Sequence, residues 1–270
     1  MKHFYLVENK TRGKIPRAAE IIRDYLKKRK ATCKMARDYS VSDEIPEDTD
    51  CIIVLGGDGT TIRTATDTAN RRIPIIGVNM GHFGYLTSVS EEEEIIPMLD
   101  ALLKDEYTLE RRTILEGYGK HKSHTYTAMN ELMIGRTSMG KVVRLKVSVN
   151  GESLNEYSAD GIIIATPTGS TAYNLAAGGP IIEPDLGVMV ITPICPHVHE
   201  PGAIVVSDKS IIEVEVTGGD EDGQIAVFDG VVRENLKVGQ KITLRKFKSE
   251  AVFIRLKGDN FVKTLRKKIQ

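Results

Sequence analysis

The chain has 270 residues, carries 37 Lys and Arg against 37 Asp and Glu, and is 41% hydrophobic. This length suits one large domain or two of medium size, and the composition excludes collagen, coiled coil and bulk disorder. The formal net charge of +0 gives no reason to expect electrostatic capture by nucleic acid or an anionic membrane. We therefore expect no nucleic acid and no membrane among its partners.

The cysteines and the hydropathy pattern indicate a compartment. Cys33, Cys51 and Cys195 are scattered and odd in number, which fits a reducing environment better than a disulfide framework or a zinc site. No stretch approaches the roughly 18 apolar residues that a membrane-spanning helix needs, and no signal peptide is visible. These features predict a cytoplasmic protein.

The first part of the chain alternates between short apolar runs and helical periodicity. A strand is predicted at residues 4–7, an amphipathic helix from Ile15 to Leu26, and two strands at 51–55 and 73–79 with a helix between them. Runs that are apolar on both faces and joined by helices are typical of a buried parallel sheet. We predict an α/β N-terminal domain over residues 1–108, with a mostly parallel sheet.

From about Glu110 the sequence changes to short runs of Thr, Val and Ile bounded by Gly, Asn and Asp. Asn150-Gly151 after an alternating run is a strong signal for a type I′ hairpin. We predict a β-rich C-terminal domain over residues 109–258, mostly antiparallel. Residues 259–270 are predicted to form a closing helix that packs back on the N-terminal domain, with its cations at the end that the helix dipole favours.

A glycine-rich turn, Gly56-Gly57-Asp58-Gly59-Thr60, stands where a buried strand ends and a helix begins. Ligands bind at this edge of an open α/β sheet, glycines let the backbone approach a phosphate, and free N–H groups at the helix start favour an anion. Asp58 would repel that anion unless it accepts a proton, orients a hydroxyl or binds a metal. The alternative is that Asp58 caps the helix that starts at Thr60.

A second glycine-rich segment runs from Asp160-Gly161 to Pro180 and contains Thr166-Pro167-Thr168-Gly169-Ser170-Thr171-Ala172-Tyr173-Asn174. Its small residues permit close approach of a ligand, its hydroxyl and N–H groups can donate to ligand oxygens, and Tyr173 offers a flat face for a base. The alternative is a tight turn with a packing tyrosine.

Two shorter patterns are less specific. Asn130 and Glu131 are adjacent, so on a strand they point to opposite faces and can serve one ligand only at a strand end or bulge. A plain turn is equally compatible with this pair. His197 and His199 have the spacing of metal ligands, but without a third ligand nearby in sequence a structural pair is favoured.

Together these motifs resemble the NAD kinase family. The resemblance covers nearly the whole chain, from Val7 to the closing helix, and rests on the order and spacing of residues 56–60, 79–87, 130–131, 160–161, 166–180 and 193–197. The first of these motifs is shared with diacylglycerol, sphingosine and phosphofructokinase relatives, whereas the segment 166–180 resembles NAD kinase alone. The resemblance implies phosphoryl transfer from ATP, or another donor, to the 2′-hydroxyl of the adenosine ribose of NAD.

The resemblance also implies a fold, a metal and an assembly. It implies the two-domain NAD kinase fold with the dinucleotide in the cleft between the domains. It implies a divalent metal ion, expected to be Mg²⁺, that is carried mainly by the nucleotide phosphates. It further implies NAD and ATP as partners and a homo-oligomer, either a dimer or a tetramer.

Roles for individual residues follow from the same resemblance. Asp58 would orient and deprotonate the 2′-hydroxyl, with Gly59 in the same site and Arg63 facing phosphate. The residues implied to hold the acceptor are Asn130 and Glu131 at the adenine and ribose end, Tyr85, Thr171, Ala172 and Tyr173 around the adenine, Asp160 at the nicotinamide half, and Asn174, Leu175, Ala176 and Cys195 along the remaining wall.

The sequence departs from the family pattern at two places. Residues 198–203 lack an Arg that the family usually has there, and Asp229-Gly230 is followed by Val231 where a polar residue is common, so no ligand contact is assigned at Asp229. Two alternative functions stay open. A lipid kinase of the same superfamily needs an apolar trough or a basic membrane-facing patch. A non-catalytic NAD or NADP sensor would gain nothing from a carboxylate beside phosphate.

Overall fold

The computed structural model describes residues 1–9, 15–36, 44–81, 84–119, 124–138, 141–197, 202–219 and 223–269. It divides into two compact units, the first formed by residues 1–111 and 249–270 and the second by residues 112–248. Among the described residues, no helix has both the length and the apolar character needed to cross a bilayer.

Strands and helices alternate in the first part of the chain. Their bounds are β1 (His3–Glu8), α1 (Ile15–Lys28), β2 (Thr32–Met35), β3 (Cys51–Leu55), α2 (Asp58–Thr68), β4 (Ile75–Val78), β5 (Thr87–Val89), α3 (Ile95–Leu103) and β6 (Tyr107–Arg112). Short 3₁₀ turns lie at Ala69–Arg71 and Glu92–Glu94.

The rest of the chain is mostly β. Its elements are β7 (Leu115–Tyr118), β8 (Tyr126–Ala128), β9 (Glu131–Arg136), β10 (Val143–Val149), β11 (Glu152–Ala159), β12 (Gly161–Ala165), a 3₁₀ turn (Gly169–Thr171), α4 (Tyr173–Ala176), β13 (Val188–Ile194), β14 (Ile204–Ser207), β15 (Ile212–Gly218), β16 (Gln224–Phe228), β17 (Val231–Leu236), β18 (Lys241–Lys246), β19 (Ala251–Leu256) and α5 (Phe261–Ile269).

The sheet of the first unit has the order β2-β1-β3-β4-β19-β6, with β5 also paired to β4. β1 is parallel to β2 and β3, and β4 is parallel to β3, β5 and β19. Every residue of β3 and β4 is buried, as a strand covered on both faces requires. The predicted α/β domain with a mostly parallel sheet is confirmed.

The first unit ends differently from the sequence prediction. The sequence assigns residues 109–258 to the β-rich domain, whereas β19 lies in the sheet of the first unit, where Phe253 pairs with Ile75 of β4. The physical reason is burial: all of Ala251 to Ile254 is buried, which suits an inner strand of a parallel sheet. The apolar run itself does not reveal which sheet it joins.

The second unit consists of two antiparallel sheets with the orders β11-β10-β15-β18-β7-β8 and β14-β13-β12-β9-β16-β17. Alternate residues of both sheets, among them Leu145, Val147, Ile162 and Ile164, form one hydrophobic core. β10 and β11 are joined by Asn150 and Gly151, both at positive φ (54° and 86°), as a type I′ turn requires. The predicted antiparallel, β-rich character is confirmed.

Candidate active site

In the first unit, the glycine-rich turn connects the end of β3 to the start of α2. Gly57 occupies the N-cap position and makes no side-chain capping bond, and Asp58 is the first residue of the helix. The interpretation of Asp58 as the helix cap is therefore wrong. Its carboxylate is free to be used elsewhere.

Two backbone groups hold the Asp58 carboxylate from a segment 27 and 28 residues away. The Tyr85 N–H donates to Oδ2 at 2.9 Å and the Leu86 N–H donates to Oδ1 at 3.1 Å. Each carboxylate oxygen can accept a further hydrogen bond. Asp58 is half-buried, so its orientation is fixed while it stays accessible to a hydroxyl group.

The segment that supplies these donors is closely packed on Asp58. Gly84 donates its N–H to Thr87 Oγ1 at 3.0 Å. A Cβ at Gly84 would collide with the Asp58 carboxylate and with Thr87 Oγ1, so only glycine fits there. His82 and Phe83 of the same motif lie outside the described residues.

Helix α5 contacts this segment through Tyr85. The Lys268 Nζ lies 5.5 Å from the centroid of the Tyr85 ring, within the range of a cation–π interaction. Burial, and then the negative charge of Asp58, raises the pKa of the Tyr85 phenol. Tyr85 therefore stays neutral, with one face of its ring covered by an ammonium group.

The first turn of α2 presents backbone donors. Thr60 and Thr61 both donate to the Gly57 carbonyl, and N–H groups that precede them in a helix have no intrahelical acceptor. Gly59 is exposed, and a Cβ there would meet no atom within 4 Å. Arg63 is exposed one turn later, 3.9 Å from Asp67. This arrangement leaves room for an anionic group at the helix start.

In the second unit, Glu131 is the first residue of β9 and Asn130 directly precedes it. The two side chains therefore lie at a strand end, where both can serve one ligand. Asp229, in the turn between β16 and β17, accepts hydrogen bonds from the N–H groups of Met129 (2.6 Å), Asn130 (2.8 Å) and Glu131 (3.1 Å). Sequence reasoning missed Asp229 as a functional residue. Only its position in an Asp-Gly turn after a strand could have indicated it.

Glu131 is a buried carboxyl group, 8% exposed, whose Oε2 has no hydrogen-bond partner among the described residues. Burial, and then the charge of Asp229, raises the pKa of Glu131 to about 7. Burial also raises the pKa of Asp229, against the opposing effect of its three N–H donors and Arg233. Buried polar atoms normally have partners, so the free Oε2 indicates a ligand at this position.

The segment that follows β12 packs on the same backbone. The Thr166 N–H donates to the Asn130 carbonyl at 2.8 Å, and Thr166 Oγ1 donates to the Met129 carbonyl at 2.6 Å. A Cβ at Gly169 would collide with the Asn130 backbone. Glycine and threonine are therefore needed here for close packing, in addition to any contact with a ligand.

The residues of α4 divide into exposed and buried ones. Tyr173, Leu175 and Ala176 are exposed, and Thr171 and Ala172 are half-buried. The sequence groups Asn174 with the wall residues, whereas its side chain is fully buried: Nδ2 donates to the Ser170 and Pro180 carbonyls, and Oδ1 accepts from Thr192 Oγ1. The Asn174 amide thus braces the segment instead of facing outward.

Asp160 and Cys195 lie together at the other end of β12. The Asp160 N–H donates to the Ile194 carbonyl at 3.0 Å, next to Cys195, which is exposed and has φ of +45°. The Asp160 carboxylate forms an ion pair with Arg136 at 3.0 Å. No sequence signal indicated Arg136 as a partner of this site.

The register of β12 separates the two polar groups of the second unit. Gly161 pairs with Gly135 and Ile194, whereas Ala165 pairs with Glu131. Asp160 therefore lies at one end of the strand and the pair Asn130-Glu131 at the other.

Metal ligands do not converge in the part of the chain that the structure describes: no three His, Cys, Asp or Glu side chains come together there. His197 is exposed, and His199 lies outside the described residues, as do residues 198–201 of the departing loop. The H-x-H spacing stays untested.

Comparisons with known proteins cover both units. Residues 3–107 match the model of the ATP-NAD kinase N-terminal domain, and residues 129–256 match that of the ATP-NAD kinase C-terminal domain. The chain is 36% identical over 280 residues to an NAD kinase of Agathobacter rectalis, covering 100% of this chain and 99% of that relative.

Two solved structures are similar. An NAD kinase from Archaeoglobus fulgidus in complex with ATP is 28% identical, with a TM-score of 0.77, covering 98% of this chain and 96% of the other. Yeast NADH kinase complexed with NADH is 21% identical, with a TM-score of 0.87 over 100% of this chain and 87% of the other, and so shares the fold.

Proposed function

The chain belongs to the ATP-NAD kinase family, and on that premise we propose that it transfers the terminal phosphoryl group of ATP to the 2′-hydroxyl of the adenosine ribose of NAD, making NADP. The observation that carries this proposal is the Asp58 carboxylate, which two backbone N–H groups orient beside the glycine-rich turn of α2. A carboxylate placed there suits an enzyme that acts on a hydroxyl group.

Asp58 has two tasks in the proposed reaction. Its remaining lone pairs accept the hydrogen bond of the attacking hydroxyl and so aim the oxygen at the phosphorus. It then takes the proton of that hydroxyl. Since the transition state of phosphoryl transfer is loose, proton removal is needed late, and orientation supplies a large share of the effect. The first turn of α2, with Gly59 and Arg63, faces the phosphate groups.

The second unit is proposed to hold the acceptor. Asn130 and Glu131 bind the adenine and ribose end, where the free Glu131 Oε2 supports a ligand contact. Asp160 binds the nicotinamide half, and Leu175, Ala176 and Cys195 line the remaining wall of the acceptor site. Thr171, Ala172 and Tyr173 are proposed to contact the adenine. Asn174 supports this segment through its buried amide.

A divalent metal ion, Mg²⁺, is proposed to arrive with the phosphates of ATP. The half-buried Asp58 carboxylate fits this, because Mg²⁺ commonly binds through one or two carboxylates together with substrate phosphates. Asp58 is the residue of the turn that would share it. When bound, the ion neutralises charge on the phosphates.

The setting of the reaction is part of the proposal. We propose a cytoplasmic enzyme that acts as a homo-oligomer, a dimer or a tetramer, with NAD and ATP as partners and without nucleic acid or membrane. The free cysteines Cys33, Cys51 and Cys195 are compatible with a reducing compartment. Light scattering coupled to gel filtration measures the assembly.

The test incubates the purified chain with NAD, ATP and Mg²⁺ and offers the product to an NADP-specific dehydrogenase. Reactions without NAD, without ATP or with EDTA serve as controls, and parallel reactions replace NAD by diacylglycerol. We expect NADP only in the complete mixture. Phosphorylated diacylglycerol would support the lipid kinase, and NAD binding without any product would support the sensor.

A further inference from the structure

Asp229 contacts three consecutive backbone N–H groups, those of Met129, Asn130 and Glu131, at 2.6 to 3.1 Å. It does so from a turn in which Asp229 and Gly230 both have positive φ, at 45° and 77°. The Asp229 N–H in turn donates to the Glu131 carbonyl at 3.1 Å. A non-glycine residue in this conformation is uncommon, and here it aims both the carboxylate and the N–H at one short segment.

Three successive N–H groups that point at one carboxylate form a concave backbone arrangement that an anion stabilises. Asn130 is held from its other side as well, because its carbonyl accepts the Thr166 N–H and Gly169 packs against its backbone. The directions of the Asn130 and Glu131 side chains therefore depend on Asp229. Without it, three backbone donors in a half-buried place would lose their acceptor.

The same carboxylate also acts on Glu131 by its charge. Glu131 is buried, its Oε2 is without a partner among the described residues, and the nearby charges that act on the pair are those of Asp229 and Arg233. Burial raises the pKa of both carboxyl groups, but three N–H donors and Arg233 oppose this rise at Asp229, whereas the charge of Asp229 adds to it at Glu131. Of two neighbouring carboxyl groups, the one with donors keeps the charge and the other keeps the proton.

We propose that Asp229 is a positioning residue of the acceptor site: it fixes Asn130 and Glu131 for the adenosine end of NAD and keeps Glu131 protonated, as a hydrogen-bond donor. This inference rests on the proposed function, since NAD is the ligand. Asp229 acts through other residues and touches no reacting atom.

The test compares the wild-type chain with Asp229→Asn. Asparagine keeps the size but loses the charge and one acceptor oxygen, so an N–H donor of the segment meets an NH₂ group. We expect KM and Kd for NAD to rise at least about tenfold, while kcat falls less than about threefold and KM for ATP stays unchanged.

The pH profile separates positioning from simple support of the fold. In the wild type, KM for NAD rises as pH passes through about 7 and Glu131 loses its proton. In Asp229→Asn the neighbouring charge is gone, so this rise moves to lower pH. In Glu131→Gln the side chain cannot ionise, and KM for NAD stays level across the same range.

Asp208→Asn is the matched control. Asp208 is another buried carboxylate of the second unit, 7% exposed and 2.8 Å from Lys246, and it contacts neither Asn130 nor Glu131 in the described structure. We expect a lower unfolding temperature but an unchanged KM for NAD. Thermal unfolding of each variant shows whether it is folded before its constants are compared.

The outcomes separate this inference from the proposed function. An active wild type with a folded Asp229→Asn whose Kd for NAD is within twofold overturns the positioning role. A rise in KM at the same pH in both proteins overturns the effect on Glu131. A wild type that forms no NADP overturns the proposed function, and the Kd comparison then still decides the role of Asp229. A wild type that does not bind NAD overturns both.

Discussion

At the scale of single residues, the orientation of the Asp58 carboxylate is set by groups that are distant in sequence. Two N–H groups of Tyr85 and Leu86 hold its oxygens, so the carboxylate is oriented before any substrate binds. Preorganised groups of this kind cost no rearrangement at the moment of reaction. The carboxylate is therefore the group whose loss should affect chemistry more than binding.

We predict that Asp58→Asn lowers kcat by roughly 10² to 10⁴ and leaves NAD affinity within about tenfold. The amide keeps the size of the side chain, but it cannot remove a proton, and its NH₂ group would face a backbone donor. Initial rates and calorimetric titration with NAD measure the two quantities. Near wild-type turnover would show that Asp58 is not the residue that acts on the hydroxyl.

Glu131 links the site to stability. Its pKa is raised from 4.5 to about 7 in the folded chain, so its contribution to stability is complete below pH 4.5 and is lost as pH rises through 7. The raised pKa corresponds to a loss of about 3 kcal/mol in the free energy of unfolding once Glu131 is ionised. Glu131→Gln removes this loss, because the amide does not ionise.

We therefore predict that Glu131→Gln unfolds with a free energy similar to that of the wild type near pH 5. At pH 8 it should be more stable by up to about 3 kcal/mol. Denaturant unfolding of both proteins at the two pH values measures this difference. An equal difference at both values would mean that Glu131 does not hold its proton in the folded chain.

At the scale of elements, the approach of the residue 84–86 segment to α2 depends on a glycine. A Cβ at Gly84 would collide with the Asp58 carboxylate, whereas a Cβ at Gly202 would meet no atom within 4 Å. We predict that Gly84→Ala lowers kcat at least about tenfold, since a displacement of about 1 Å at a catalytic group can cost a hundredfold. Gly202→Ala is the control and should retain wild-type turnover. Equal rates for both variants would contradict the close packing.

The elements that could be predicted are those with a local signal. The buried run of β3, the turn before α2 and the Asn150-Gly151 hairpin each follow from residues adjacent in sequence. The place of β19 in the sheet of the first unit has no local signal, because a short buried run carries no information about its neighbours in the sheet.

The site could be predicted only in part for the same reason. Its motifs are local, but the groups that hold them are distant: Asp229 contacts residues 98 to 100 positions away. The sequence near Asp58 also could not show whether this residue caps α2. The Asp58 carboxylate is held by the N–H groups of Tyr85 and Leu86, which are distant in sequence. Arg136 has no motif of its own and is found only through its ion pair with Asp160.

At the scale of the whole molecule, the second unit presents two polar clusters at opposite ends of β12. The register places Asn130-Glu131 beside Ala165 and Asp160 before Gly161, a separation of about 15 Å along the strand. Two separated clusters suit an acceptor with two polar ends. Binding energy from the nicotinamide half can then be used to orient the reacting ribose.

The identity of the phosphorylated hydroxyl tests this arrangement, because an acceptor held at both ends can present only one particular hydroxyl for reaction. We predict phosphorylation of NAD at the adenosine 2′-hydroxyl, and a far lower kcat/KM for AMP, which lacks the nicotinamide half. Asp160→Ala should reduce the ratio of kcat/KM for NAD to kcat/KM for AMP by about tenfold, since it removes a charged hydrogen-bonding group that AMP does not use. Asp160→Asn, which is less disturbing to Arg136, should act in the same direction. Phosphorus NMR identifies the position of the new phosphate: a 3′-phosphate, or equal kcat/KM for AMP and NAD, would contradict an acceptor held at both ends.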